Sequence, residues 1–329
     1  MAARGTGPRV LVVTNMWPGD GSPYAGIFVR RQVEALRRVA PSWTFDTFVM
    51  AGRRGRSDYL LAVPRLRRAL RAGYDLVHAH YGFTGATAAM AGSRPLVVTL
   101  HGGDVDIWWQ RPITAWGVRR ADRVIAVSER SRAVWGDASL PVLPCGVPTG
   151  LFGPRDRAEA RRWLGIDMDA PTVLFPADPA VPVKDWPLFR TSIDRLTEPL
   201  RDQVVVRVLA DVEPEEAPWH IAAADVVVVT SQRESGPLVV KESLAMGVPV
   251  VSVDVGDAGQ VLAGVAGCAV VPHDPAAIAA AVERVLASRA TPPDPERLRA
   301  RVLELGLDDD AIARRLLTIY EETIAASLR

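Results

Sequence analysis

The chain has 329 residues, of which 48% are hydrophobic and 23% charged, so it is long enough for two α/β domains and too apolar to be largely disordered. Its net charge of +1 is unevenly divided, because residues 1–150 hold 20 basic and 10 acidic residues while the remainder holds 19 basic and 28 acidic. A basic half before an acidic half suggests two units with different partners, although ordinary surface arginines would give the same pattern.

Strand-like and helix-like segments alternate along the first half of the chain. Short apolar runs predict five strands, at residues 9–13, 44–50, 76–79, 96–100 and 124–127. Apolar residues at helical spacing predict an amphipathic helix over 26–39, and a second, basic helix over 64–71. This alternation predicts an α/β unit with a doubly wound parallel sheet.

A segment rich in proline and glycine, 141–154, predicts a linker, after which the alternation starts again. The second set of predicted strands lies at 172–176, 204–209, 225–229, 249–253 and 269–271. Predicted helices follow at 185–196, 274–287 and 308–326. Ligands of such sheets bind at the carboxyl ends of the strands, so two facing units predict a site in the cleft between them.

The most informative segment follows the predicted strand 225–229. Gly236 and Pro237 stand where a helix should begin, and proline suits the first helical position because its missing N–H needs no partner there. The free N–H groups of a first helical turn bind anions. Glu234 before the helix and Glu242 in its second turn add carboxylates for sugar hydroxyls. The segment favours a sugar-nucleotide pocket, although a common strand–turn–helix with two chance glutamates has the same spacing.

Polar residues also follow the predicted strands of the first half. His101 begins a His-Gly-Gly-Asp segment that ends at Asp104, and His80 ends the preceding strand. A histidine can hydrogen-bond a sugar hydroxyl or a leaving oxygen. Gly26 opens the first helix and would let the backbone approach a phosphate, but the loop lacks the G-x-G-x-x-G pattern of dinucleotide sites.

Other classes of site receive little support from the sequence. Two cysteines are too few for a disulfide framework, and the histidines lack zinc-site spacing, so we expect no metal. Motifs for nucleophile elbows, P-loops and nucleic-acid binding do not occur, so we expect no nucleic-acid partner. No segment has the roughly 20 apolar residues of a membrane span, and no signal peptide is evident, so a cytoplasmic protein is expected.

At this point the sequence resembles a known family. Seven segments, in order along nearly the whole chain, are similar to motifs of the retaining glycosyltransferases of family 4, and Glu234 to Glu242 looks like the E-x7-E motif of that family. The seven segments are 25–32, 96–105, 121–128, 144–154, 222–225, 234–242 and 246–252. The resemblance implies the GT-B fold, with two facing Rossmann-like domains at 1–148 and 149–306 and a final helix, 307–329, that returns to the first domain.

The resemblance also implies roles for individual residues on the donor side. Glu242 would bind the ribose, Glu234 would lie beside the donor sugar, and Lys184 would bind the diphosphate, where a cation stabilises the leaving group. Gly26 would approach the same diphosphate. Backbone amides would hold sugar and phosphate oxygens at Ser235, Gly236, Pro237, Leu238 and Val239. Expected donors are UDP- or GDP-sugars, with no further cofactor.

Catalysis and acceptor binding are implied in less detail. His101 would contact the sugar near its reacting carbon, and transfer would retain the anomeric configuration with the leaving phosphate as base and without a metal. His80, Asp104 and Trp108 are candidates for the acceptor side. The acceptor would be a polysaccharide, a lipid-linked glycan or a small molecule. The basic helix could attract anionic lipid at the inner face of a membrane, or could be an ordinary solvated face.

One residue departs from the pattern of the family. Asp178 stands six residues before Lys184, where the family usually has an arginine that also binds phosphate. A carboxylate beside a diphosphate is unfavourable, so either another cation replaces the arginine or Asp178 turns away. Asp178 thus keeps open one alternative function, a catalytically weak partner subunit that binds nucleotide-sugar. A GT-B nucleotide-sugar epimerase is a second alternative.

Overall fold

In the computed structural model, which describes residues 7–19, 23–50 and 57–329, the chain divides into two units. The first unit extends to Gly146 and also includes residues 309–329, whereas the second unit is the continuous stretch 147–308. The sequence had placed these two boundaries after residues 148 and 306, so each differs by two residues. The final helix is part of the first unit.

The first unit contains a five-stranded parallel sheet in the order β2-β1-β3-β4-β5. Its strands are β1 Arg9–Thr14, β2 Thr44–Val49, β3 Leu76–His80, β4 Leu96–Leu100 and β5 Arg123–Ala126. Its helices are α1 Ile27–Val39, α2 Ser57–Leu70, α3 Gly82–Met90, α4 Gly103–Asp106, α5 Arg111–Val118, α6 Glu129–Trp135 and, from the end of the chain, α15 Asp309–Ser327.

Helices cover both faces of this sheet, and alternate residues of each strand enter different cores. Val10 and Val12 of β1 pack with α1 and α15, whereas Leu11 and Val13 face the core that includes Leu66 of α2. A strand buried on both faces reads as a continuous apolar run, which explains why the sequence located β1, β3, β4 and β5 to within about one residue at each end. At the edge of the sheet, β2 alternates in burial and carries the polar residues Asp46 and Thr47.

The second unit repeats this design with the strand order β10-β9-β8-β6-β7, again all parallel. Its strands are β6 Thr172–Phe175, β7 Val205–Val208, β8 Val226–Val229, β9 Val250–Val253 and β10 Ala269–Val271. Its helices are α7 Arg157–Leu164, α8 Trp186–Asp194, α9 Leu200–Gln203, α10 Ala217–Ala223, α11 Leu238–Ala245, α12 Ala258–Leu262, α13 Pro275–Ala287 and α14 Pro295–Glu304.

Two helices show how local sequence signals succeed or fail. Helix α13 begins at Pro275 with the Asp274 carboxylate accepting the Ala277 N–H, as its sequence predicts. The predicted helix 64–71 instead begins at Ser57, because Pro64 lies inside α2 rather than at its start. Leu60 and Pro64 are both exposed, so the carbonyl that loses its N–H partner lies on the solvent side of the helix.

A buried ion pair joins three elements at the amino ends of the strands in the second unit. Arg161 Nη2 lies 2.8 Å from Asp225 Oδ2, and both side chains are only 4% exposed. The same carboxylate oxygen accepts the Thr172 N–H at 2.8 Å, so Asp225 links α7 to the starts of β6 and β8. Removing one partner of such a pair leaves a buried charge without compensation.

We therefore expect Asp225→Asn to lower the free energy of unfolding by about 3–5 kcal/mol. The exposed pair of Arg190 with Asp194 provides the control, since Asp194→Asn should cost no more than about 0.5 kcal/mol. Urea denaturation of the two variants and the wild type measures both values. Equal losses in the two variants would contradict the role of the buried pair.

Candidate functional site

The loop between β8 and α11, together with the first two turns of α11, holds most of the predicted donor-binding residues. Pro237 is the N-cap of α11 rather than its first residue, so the expectation for its position was off by one. Leu238 and Val239 form the first turn, whose N-terminus has no side-chain cap, and Glu242 lies half-buried in the second turn. The first turn of α11 therefore presents backbone N–H groups next to a proline that has none.

Lys184 and Glu234 meet at the edge of this loop although they are 50 positions apart in the chain. Lys184 Nζ lies 2.6 Å from Glu234 Oε1, and both side chains are partly buried. The lysine ends a single 3₁₀ turn, Pro182–Lys184, after β6, and the glutamate follows β8. Because β6 and β8 are neighbours in the sheet, their carboxyl ends bring the two residues together.

Three residues that the sequence did not single out hold Lys184 in place. Thr230 Oγ1 donates to the Lys184 carbonyl at 2.9 Å, and Gln232 N donates to the Val183 carbonyl at 2.9 Å. Asp185, in the left-handed region at φ 56°, accepts the Gln232 side-chain amide at 3.0 Å and caps α8 through the Leu188 N–H at 3.2 Å. An aspartate just before Trp-Pro was the one local signal for this cap.

Asp178 is held by its own turn. Its Oδ1 accepts the Ala180 N–H at 2.8 Å, and its carbonyl accepts the Val181 N–H at 3.0 Å. The residue is exposed to solvent. The Asp178 carboxylate therefore stabilises the turn in the loop after β6.

In the first unit, three histidines form a row at the ends of β3 and β4. His78 is fully buried, with Nδ1 at 2.6 Å from the Tyr320 hydroxyl and Nε2 at 2.7 Å from Thr99 Oγ1. His80 Nδ1 lies 3.0 Å from His101 Nε2, so one ring donates a hydrogen bond to the other. The His101 ring is half-buried and lies 5.0 Å from the Phe28 ring of α1.

Burial keeps this row uncharged. It lowers the pKa of His78 and of His101 to about 3 and that of His80 well below 6.5, with charge repulsion from neighbouring rings adding to the effect at His78 and His80. All three imidazoles are therefore neutral at pH 7, and His101 can act as a hydrogen-bonding group but not as a cation. His80 Nε2 has no hydrogen-bond partner within the described residues.

The three acceptor-side candidates differ sharply in exposure. Asp104 is buried, and its carboxylate accepts three backbone N–H groups, from Gly82 at 2.9 Å, His101 at 3.0 Å and Gly102 at 2.9 Å. Burial raises the Asp104 pKa to about 6 despite these hydrogen bonds. His80 is also buried, whereas Trp108 is 82% exposed. Asp104 organises the loop that carries His101, and only Trp108 is open to solvent.

Gly26 has a structural reason to be glycine. It is the N-cap of α1 at φ 71°, and a Cβ built on it would come within 2.2 Å of the Met16 carbonyl group. Any side chain would therefore combine an unfavourable backbone conformation with a clash. The sequence predicted that the backbone at Gly26 approaches a phosphate. In this structure the backbone at Gly26 lies close to the Met16 carbonyl group.

The neutral histidines make stability depend on pH. The unfolded His78 titrates near 6.5 and the folded one near 3, so the unfolded chain binds more protons between these values and stability falls as the pH drops through that window. At pH 5 the loss from this residue should be about 2 kcal/mol. Asp104 acts in the opposite direction, because its raised pKa favours the folded state as the pH falls towards 6 and below.

Comparison with a variant isolates the His78 contribution from that of Asp104. We expect His78→Gln to be less stable than the wild type at pH 7.5, and the difference between the two proteins to shrink by about 2 kcal/mol at pH 5. Urea denaturation at the two pH values measures this. A difference that stays constant with pH would show that His78 is not held neutral by burial.

Comparisons with known proteins agree with this arrangement. The model for Glycosyltransferase Family 4 matches residues 2–151, and the model for Glycosyl transferases group 1 matches residues 187–288. A D-inositol 3-phosphate glycosyltransferase from Geodermatophilus obscurus is 30% identical over an alignment of length 317, and the match covers 78% of this chain and 69% of the relative. The enzyme of the same name from Thermobispora bispora is 29% identical, with coverage of 81% and 75%.

Solved structures establish the fold. Sucrose-phosphate synthase from Thermosynechococcus elongatus superposes with a TM-score of 0.77 at 22% identity, covering 97% of this chain and 100% of that one. Anabaena HepE in complex with UDP gives a TM-score of 0.72 at 15% identity, covering 96% and 100%. With two five-stranded parallel sheets of matching design, the chain belongs to glycosyltransferase family 4 and is a glycosyltransferase with the GT-B fold.

Proposed function

We propose that this enzyme transfers a sugar from a nucleotide-sugar donor to a hydroxyl group of an acceptor, with retention of the anomeric configuration. The observation that carries the proposal is the contact of Lys184 with Glu234 beside the N-terminus of α11. A cation, a carboxylate and uncapped backbone N–H groups at one loop match the diphosphate and the hydroxyls of such a donor.

On the donor side, each residue has a chemical task. Lys184 stabilises the charge that develops on the leaving diphosphate, and its ion pair with Glu234 keeps the ammonium in place before the donor arrives. Glu234 accepts hydrogen bonds from the donor sugar and Glu242 from the ribose. Backbone amides between Ser235 and Val239 bind the remaining sugar and phosphate oxygens.

His101 takes part in the transfer as a neutral group. Its lowered pKa suits a hydrogen bond to a sugar hydroxyl, because a neutral imidazole donates through one ring nitrogen or accepts through the other, depending on the tautomer. His80 orients the His101 ring through the 3.0 Å hydrogen bond. The leaving phosphate serves as the base for the acceptor hydroxyl, and the reaction uses no metal.

Among the acceptor classes, we favour a small anionic polyol. The relatives named D-inositol 3-phosphate glycosyltransferase point to a phosphorylated cyclitol. The excess of basic residues among positions 1–150, 20 against 10 acidic, suits an anionic acceptor. Inositol 3-phosphate is therefore the first acceptor to assay, ahead of polysaccharides and lipid-linked glycans.

Binding of a nucleotide tests the donor site. We expect one of UDP, GDP and ADP to raise the melting temperature of the wild type, with UDP the first choice because HepE has been solved with UDP and with UDP-glucose. Glu242→Ala should abolish the shift, whereas Glu304→Ala, at an exposed position of α14, should preserve it. A shift that survives in Glu242→Ala would remove Glu242 from the site.

Measurements of turnover distinguish a glycosyltransferase from a partner subunit and from an epimerase. His101→Ala and Glu234→Ala should each lower kcat by at least about 100-fold, a typical effect of losing a transition-state hydrogen bond. A partner subunit would tolerate both changes without loss of its partner's activity. An epimerase would convert the donor without any acceptor, so product analysis with and without inositol 3-phosphate distinguishes it.

A second role, contact with an anionic membrane, is favoured by the surface of α2. Leu60 and Leu61 are 63% and 66% exposed, and Arg65, Arg68 and Arg71 are exposed on or just after the same helix. Apolar and basic residues together at a surface suit peripheral attachment to anionic lipid. Within the described part of the chain, no helix is long and apolar enough to cross a membrane.

Charge reversal tests this attachment. We expect Arg68→Glu/Arg71→Glu to lose binding to vesicles that contain phosphatidylserine, as measured by cosedimentation. Arg67 is left unchanged because its Nη2 donates to the Met90 carbonyl at 2.8 Å. Arg195→Glu/Arg284→Glu, at exposed positions of the second unit, gives the same change in net charge and should bind as the wild type does. Equal binding of all three proteins would rule out α2 as the contact.

A further inference from the structure

Lys241 is one of only two lysines in the chain, and its side chain is buried inside the second unit. It lies on α11, is 1% exposed, and its Nζ is 2.5 Å from Asp257 Oδ2. Asp257 follows Gly256 and is the N-cap of α12, without a side-chain hydrogen bond to that helix. The other carboxylate oxygen, Oδ1, is buried and has no hydrogen-bond partner among the described residues. Lys241 is therefore the principal partner of this carboxylate.

This ion pair lies directly against the loop that precedes α11. A Cβ built on Gly236 would be 3.2 Å from Lys241 Nζ and 3.2 Å from Asp257 Oδ2. On the other side, a Cβ built on Gly256 would be 2.9 Å from Pro237 Cδ and 3.1 Å from the Gly236 Cα. Two backbone segments, 235–237 and 256–257, thus pack closely, and the two glycines leave room for the ion pair between them.

Packing alone does not explain why a buried ion pair fills this space. Burying an ammonium and a carboxylate carries a desolvation cost that an apolar side chain of similar length would avoid. The ion pair does more than fill space. Because the ammonium on α11 and the carboxylate at the start of α12 must lie within hydrogen-bond distance, the pair fixes the position of one helix relative to the other. It also neutralises Asp257, whose unpaired charge would repel an anion bound at the loop.

We propose that Lys241 and Asp257 form a positioning pair for the donor. The pair holds the loop 235–237 against Gly256, so that the backbone N–H groups of Ser235, Gly236, Leu238 and Val239 keep the geometry that binds the diphosphate. Neither side chain touches the substrate in this arrangement, and both act through the loop. This inference rests on the proposed function, in which the loop binds the donor.

Opposite substitutions separate positioning from simple electrostatics. Lys241→Met removes the cation and leaves a negative charge, whereas Asp257→Asn removes the anion and leaves a positive one. Positioning predicts that both variants bind the nucleoside diphosphate at least tenfold more weakly. An effect of charge alone predicts weaker binding for Lys241→Met and tighter binding for Asp257→Asn. Lys241→Arg, which keeps the charge, should recover part of the affinity.

The measurement is calorimetric titration with whichever of UDP, GDP and ADP the wild type binds most tightly, at a temperature where urea denaturation shows every variant folded. Asp225→Asn is the matched control, because it disrupts another buried pair of the same unit at the opposite end of β8. It should lower stability and leave the dissociation constant unchanged within twofold.

The outcomes are distinguishable from those of the donor-site test. If the wild type binds none of the three nucleotides, the proposed function fails and this inference fails with it. If the wild type binds but Lys241→Met and Asp257→Asn stay within twofold of it, the pair is merely structural and the inference is overturned. If Lys241→Met does not fold, Asp257→Asn still decides the question, because positioning predicts weaker nucleotide binding and charge alone predicts tighter binding. Lys241→Arg then provides the variant of the lysine that keeps its charge.

Discussion

Burial of both sheet faces is the constraint on which the rest of this structure depends. Helices cover each sheet, so the central strands carry mainly apolar side chains, as the four valines of β8 illustrate. Most polar groups then lie where strands end, and the carboxyl ends of neighbouring parallel strands bring together residues that are far apart in the chain. Lys184 and Glu234 in one unit, and His80 and His101 in the other, are both consequences of this rule.

Several of the polar residues at these ends hold loops through hydrogen bonds to backbone N–H groups. Asp104 and Asp185 do so, because their carboxylates accept N–H groups of nearby turns. Asp178 does the same on a smaller scale. A carboxylate engaged in this way has little capacity left for a substrate, so loops rich in acidic residues need not form acidic sites.

The sequence predicted the regular elements well and the site only in outline. Buried strands can be recognised in the sequence as apolar runs. The start of α13 follows the preference for aspartate at the N-cap and proline at the first helical position, as Asp274 and Pro275 show. No local signal joins Lys184 to Glu234, which only the family resemblance brought together. Asp104 and Gly26 were interpreted as ligand contacts, yet the structure gives both an internal use that depends on distant residues. The pairing of Lys241 with Asp257 has no signal in the sequence, because it depends on the packing of α11 on α12.

The first unit is discontinuous, and this has a consequence for how the protein is made. Its core includes Ile312, Leu316 and Tyr320 of α15, and the Tyr320 hydroxyl bonds His78 beside the histidine row. The second unit is one unbroken stretch that can fold on the ribosome from its own residues. The core of the first unit cannot be completed until α15 has left the exit tunnel. During synthesis the second unit can therefore fold first, and the contact between His78 and Tyr320 forms only after α15 has emerged from the ribosome.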